Sequence, residues 1–158
     1  MLLWFLGGAL VVAWAVFRDP ALDYRLVMLG AVVPDLLDLP WGGARVAHSV
    51  MFSVTLLALV MLATIGRRPL RRHLLALPIG TFLHLALDGA FTDSNAFWWP
   101  LSGGFDGARL PSVARGAWNI PLELAGAVAL AWGWRQFGLA DSARRRAFLM
   151  TGRLRPTA

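Results

Sequence analysis

"PDLLDLPWGGARVAHS", Pro34 to Ser49, sets two aspartates, an arginine and a histidine between two long apolar runs. A second polar pair, "HLALD" (His84 to Asp88), lies inside another apolar run. The reading of these stretches decides the fold, because ionisable groups in so apolar a chain need a reason to be there. The 158 residues suit one domain, and 58% of them are hydrophobic, above the usual apolar share of about 45–50%. Eight tryptophans add to that excess. The composition predicts an integral membrane protein. The chain has no cysteine, which excludes disulfides, thiolate metal sites and a cysteine nucleophile.

Five apolar segments can be drawn: about Leu2–Phe17, Tyr24–Leu39, Val46–Ile65, Leu74–Phe91 and Trp118–Phe137. A spanning helix needs roughly 20 apolar residues, so the last three fit and the first two are short. The expected fold is all-α, a polytopic transmembrane bundle of about five helices. Ala13-Trp14-Ala15 has the small-x-small form of a signal-peptide cleavage site, but no positive region precedes it, so a retained helix is expected. All 15 basic residues are arginines, and the net charge is +6. Twelve of them flank the first connection, the third, and the end of the fifth segment. Arginine-rich loops stay cytoplasmic. The expected place is therefore the bacterial inner membrane, with the N-terminus outside and the C-terminus inside. Residues 1–140 form the helical domain in this reading, and residues 141–158 a basic cytoplasmic tail whose arginines can meet anionic lipid. The expected partners are membrane lipids; nucleic acid is not among them.

In that arrangement Asp35, Asp38, His48, His84 and Asp88 approach one face of the membrane from three segments. Asp35 and Asp38 are i and i+3, on one face of a helix, with Pro34 loosening the last turns. His84 and Asp88 are i and i+4, a spacing that can grip one metal ion. A carboxylate near mid-membrane costs about 2.5–3.5 kcal/mol on insertion scales, so several of them need each other, a cation or a water-filled cavity. Carboxylate plus imidazole without thiolate suits Zn²⁺, Mn²⁺, Fe²⁺ or Mg²⁺.

On these residues the chain resembles the bacterial inner-membrane family of membrane-bound metal-dependent hydrolases. The shared pattern is an early Pro-Asp with a further Asp, a His-Ser opening a helix, a His-x-x-x-Asp and an aromatic-Pro. Here these are "PDLLD", "AHS", "HLALD" and "FWWP", within residues 24–102. The resemblance implies a divalent metal, a hydrolytic activity, and Asp35, Asp38, His48, His84 and Asp88 as ligands. Two departures stand out. Leu37 occupies the place of the second Asp of a Pro-Asp-x-Asp, and Gly43 that of an upstream His. A two-metal site is less easily built without that His.

The expected function is metal-dependent hydrolysis of an ester or phosphoester of a lipid or membrane-proximal substrate. The alternatives are a non-enzymatic protein with a structural metal or polar cluster, and a small transporter. Asp38 is expected as ligand or base, and Glu123 as a base behind the site or a partner for Arg45 or Arg115. Arg109 and Arg115 can bind a phosphate or carboxylate. Asp93 can extend the acidic cluster, and Trp98 and Trp99 suit a membrane interface or a lid. His73, among arginines, reads as a solvated loop residue.

Overall fold

The computed structural model describes residues 1–41, 43–92, 94–105 and 115–157. Asp93 and Arg109, singled out above, lie outside the described residues. Among the described residues the structure is helical, without strands. Its helices are α1 (Leu2–Phe17), α2 (Tyr24–Gly30), α3 (Val33–Asp38), α4 (Val50–Ala63), α5 (Arg68–Leu74), α6 (Ala76–Asp88), α7 (Ser94–Phe97), α8 (Asn119–Gln136) and α9 (Ser142–Thr151). Short 3₁₀ turns cover Leu39–Trp41, Val46–His48, Ala90–Thr92 and Gly116–Trp118.

The all-α expectation agrees with this architecture; the transmembrane bundle does not. Among the described residues no helix is long and apolar enough to cross a membrane. The second apolar segment breaks into α2 and α3, because Pro34 sits in the first turn of a new helix, where its missing N–H costs nothing. The third segment starts with a 3₁₀ turn, and its α-helix has only 14 residues, about 21 Å against a hydrocarbon core of about 30 Å. The fourth keeps 13 residues in α6, which Gly89 ends in a left-handed conformation. The longest helix, α8, has 18 residues and carries Asn119, Pro121, Glu123, Arg135 and Gln136. The expected multi-pass inner-membrane location, with its outside N-terminus and inside C-terminus, falls with the spans.

Helix starts follow local chemistry. The Asp23 carboxylate accepts from the N–H groups of Arg25 and Leu26 at the start of α2. Ser49 Oγ accepts from Phe52 N–H at the start of α4, and Asp141 from Ala143 N–H at the start of α9. These side chains satisfy donors that the first helical turn leaves unpaired. The core gathers Phe5, Ala9, Leu10 and Ala13 of α1, Tyr24 and Val27 of α2, Ala76 of α6, and Phe137. Glycines let the layers close. A Cβ on Gly7 of α1 would lie 2.3 Å from the Gly126 carbonyl oxygen of α8, so these two backbones touch directly.

The basic C-terminal stretch, expected as a separate tail, belongs to the same body. Leu154 is 2% exposed and joins the core. Tyr24 N–H donates to the Gly152 carbonyl at 2.9 Å, and Thr157 N–H to that of Gln136 at 3.0 Å. Gly152 has φ 70°, and a Cβ there would fall 1.7 Å from Asp23 Oδ1. Only glycine fits both conditions.

Candidate metal centre

Helix α3, the turn Val46–His48 and helix α6 deliver the polar residues to one place. His48, His84 and Asp88 are fully buried, Asp38 nearly so, and the Asp35 side chain keeps 21% exposure. The two imidazoles face each other through Nε2, 3.2 Å apart. Asp35 Oδ1 lies 3.4 Å from His48 Nε2 and 3.8 Å from His84 Nε2. Asp88 Oδ2 lies 3.9 Å from His48 Nε2.

The far nitrogens fix the rings. His84 Nδ1 is 2.8 Å from the Ala31 carbonyl oxygen, which cannot donate. His84 therefore carries its proton on Nδ1 and turns the Nε2 lone pair inward. His48 Nδ1 lies 2.7 Å from Asp38 Oδ2, which also accepts from the Arg45 backbone N–H at 2.7 Å. Such carboxylate–histidine pairs orient metal ligands from behind. The Phe5 ring covers His84 at 4.2 Å between centroids.

Two carboxylate oxygens, Asp35 Oδ1 and Asp88 Oδ2, are buried without a hydrogen-bond partner among the described residues. They belong to the two carboxylates on the Nε2 side of His48, while Asp38 meets Nδ1 on the other side of the ring. Leaving a buried carboxylate oxygen unpaired costs more than the roughly 1–3 kcal/mol of a neutral group. A cation removes that cost. The separations of 3.2, 3.4 and 3.8 Å among Asp35, His48 and His84 compare with about 3.3 Å between ligands held tetrahedrally at about 2.0–2.1 Å from one ion. The buried Asp35–His48–His84 group can hold a metal ion.

Electrostatics divide the roles. Burial works against charge on His48, but its hydrogen bond to Asp38 and the neighbouring Asp35 carboxylate prevail and raise it to about 9. Burial pushes His84 down to about 4 and Asp88 up to about 6. Asp35 stays low despite burial, because the His48 and His84 imidazoles lie beside it. One imidazolium and one neutral imidazole thus share the Nε2–Nε2 contact, and a bound ion would take the place of the proton between them.

Of the expected ligands, Asp35, His48 and His84 come together, with Asp88 beside them. Asp38 meets His48 from the opposite side of its ring. Glu123 is not part of the cluster: it accepts from Leu3 N–H at 2.8 Å and lies 3.7 Å from the amino group of Met1. Its expected partner Arg115 goes instead to Asp88, with NH1 3.2 Å from Oδ1 and NH2 on the Asp88 carbonyl. His73 is not merely solvated, since its Nδ1 lies 3.1 Å from Asp23 Oδ2. Sequence reasoning missed the Ala31 carbonyl and the Phe5 ring. A backbone carbonyl leaves no signal in residue type, and Phe5 reads as one more apolar residue of α1. No family model, curated protein or solved structure matches this chain.

Proposed function

We propose that this protein is a metal-dependent hydrolase that cleaves an ester or phosphoester of an amphiphilic substrate. The observation that carries the reading is the pair of unpartnered buried oxygens, Asp35 Oδ1 and Asp88 Oδ2, beside two histidine Nε2 atoms. The motif order shared with the metal-dependent hydrolases supports it. Asp35, His48 and His84 would hold the ion, and a nitrogen–oxygen set of this kind favours Zn²⁺ over Mg²⁺. When bound, such an ion supplies Lewis acidity and lowers the pKa of water to about 7.

The chain's own residues do the rest. Asp38 holds the His48 ring in place. Asp88, raised to about 6 by burial, takes a proton at Oδ2 near neutral pH, as a general base must. Arg115, 25% exposed at its side chain, presents a guanidinium to an anionic group of the substrate while it holds Asp88. Leu36, Leu37, Leu39 and Trp41, all exposed, follow the partly exposed Asp35 in the chain and offer an apolar surface. That surface is the reason for an amphiphilic substrate.

Complete burial of both histidines favours a second reading, a purely structural ion. One experiment separates the two. Purified protein is stripped with a chelator, reloaded with Zn²⁺, Mn²⁺ or Mg²⁺, and assayed on acyl esters, phosphomonoesters and phosphodiesters beside Asp88→Asn. Turnover that returns with one ion, and is lost in Asp88→Asn with metal retained, is the expected result. Stoichiometric metal with no turnover across the panel would establish the structural ion instead.

A further inference from the structure

The other end of α6 carries a second polar centre. Along α6 the rise from Ala76 to His84 is about 12 Å, at about 1.5 Å per residue. There a cavity of about 590 Å³ is lined by Arg25, Arg68, Arg72, His73, Thr151 and Arg153, among others. Four guanidinium groups from α2, α5 and the segment after α9 thus converge on one concavity. With no described helix long and apolar enough to cross a membrane, a cytoplasmic-loop signal does not account for this concentration of arginine.

The cationic groups are held in place. Asp23, 1% exposed, binds Arg25 through Nε at 3.2 Å and NH2 at 2.8 Å, and lies 3.1 Å from His73 Nδ1. The remaining terminal nitrogen of Arg25 donates to the Leu149 carbonyl. Asp19 Oδ2 accepts from Arg72 NH2 at 2.7 Å. These two carboxylates answer two of the four guanidinium charges. Among the described residues the guanidinium groups of Arg68 and Arg153 have no hydrogen-bonding partner, and both residues are exposed. The position of Arg153 is set by its neighbours, because Gly152 is locked against Asp23 and Leu154 is in the core.

We propose that this cavity is a binding site for a phosphate-bearing ligand, in which Arg68 and Arg153 supply the main contacts and Arg25 and Arg72 the supporting charge. Guanidinium forks match phosphate oxygens in geometry, and several forks around one hollow favour a polyvalent anion over a single carboxylate. The phosphate can belong to a free metabolite or to a lipid headgroup. The inference stands apart from the metal centre and from the hydrolytic reading.

The probe is pyrophosphate, titrated calorimetrically into the full chain with chelator present, so that a bound ion contributes nothing. Wild type is compared with Arg68→Gln/Arg153→Gln, with Arg135→Gln on α8 as a control that removes a positive charge outside the cavity, and with His84→Ala. The expected result is saturable single-site binding that weakens at least about tenfold in the double variant and is unchanged in Arg135→Gln and His84→Ala. A second arm uses phosphatidylcholine vesicles with and without phosphatidic acid. Vesicle association that pyrophosphate displaces assigns the site to a lipid phosphate, and calorimetric binding without vesicle association assigns it to a soluble one. Absence of pyrophosphate binding, or equal weakening in Arg135→Gln, would overturn the proposal.

Discussion

Gly80 and Gly30 meet backbone to backbone: a Cβ on Gly80 would lie 2.8 Å from the Gly30 Cα and 2.2 Å from the Val27 carbonyl oxygen. This contact sets how closely α6 approaches α2. One turn further along α6, His84 Nδ1 meets the carbonyl of Ala31, the residue after Gly30. The seat of two glycines therefore determines whether the imidazole can reach its acceptor.

Gly80→Ala is expected to destabilise the protein by about 1–3 kcal/mol, the usual cost of overpacking. It should also weaken metal binding, because the displaced helix carries His84 away from Ala31. Denaturant unfolding together with metal titration checks both effects. A substitution that lowers stability and leaves metal affinity intact would show that the seat does not position the ring.

His84→Ala and Asp35→Ala should each abolish stoichiometric metal, read by elemental analysis of purified protein with the fold verified by circular dichroism. Each removes one of the three ligand atoms brought together at His48. Full occupancy in either variant would take that residue out of the site.

Asp38→Asn is expected to act differently. The amide still fills the space beside His48 Nδ1 but no longer offers a charged acceptor, so metal affinity should fall about 10–100-fold without being abolished. Competition with a chromophoric chelator measures it. Complete loss would make Asp38 a direct ligand.

The Asp23 carboxyl is the basis of a pH prediction. Burial is the largest single influence and pushes its pKa up, but the Arg25 side chain, the Leu26 N–H and the neighbouring positive charges bring it below the usual value of 3.8. A carboxyl with a lowered folded pKa contributes stability that is present above the unfolded value and is lost as pH falls through the folded one. The melting temperature of the metal-free protein should therefore drop as pH falls below about 4. Asp23→Asn should start lower at neutral pH and lose less on acidification. An unchanged acid limb in that variant would exclude Asp23 as the source.

The sequence by itself pointed to Asp35, Asp38, His48, His84 and Asp88 and determined the helical class. The i, i+4 spacing placed His84 and Asp88 on one face of α6, and the i, i+3 spacing placed Asp35 and Asp38 on one face of α3. Such periodicities follow from backbone geometry alone and need no partner. Helix length was not legible in the same way. An apolar count runs through a break without registering it, so Pro34 fell inside one apolar segment, and the 3₁₀ turn before α4 inside another that looked long enough to cross a membrane. Tertiary structure decided which atoms meet. Both aspartates of α3 face His48, but packing sends Asp35 to Nε2, with the group that can hold an ion, and Asp38 to Nδ1, behind the ring. It also took Arg115 to Asp88 and left Glu123 beside the first residues of the chain. Those choices depend on where glycines allow backbones to touch and which buried oxygen lacks a donor, and both properties exist only once the helices are packed.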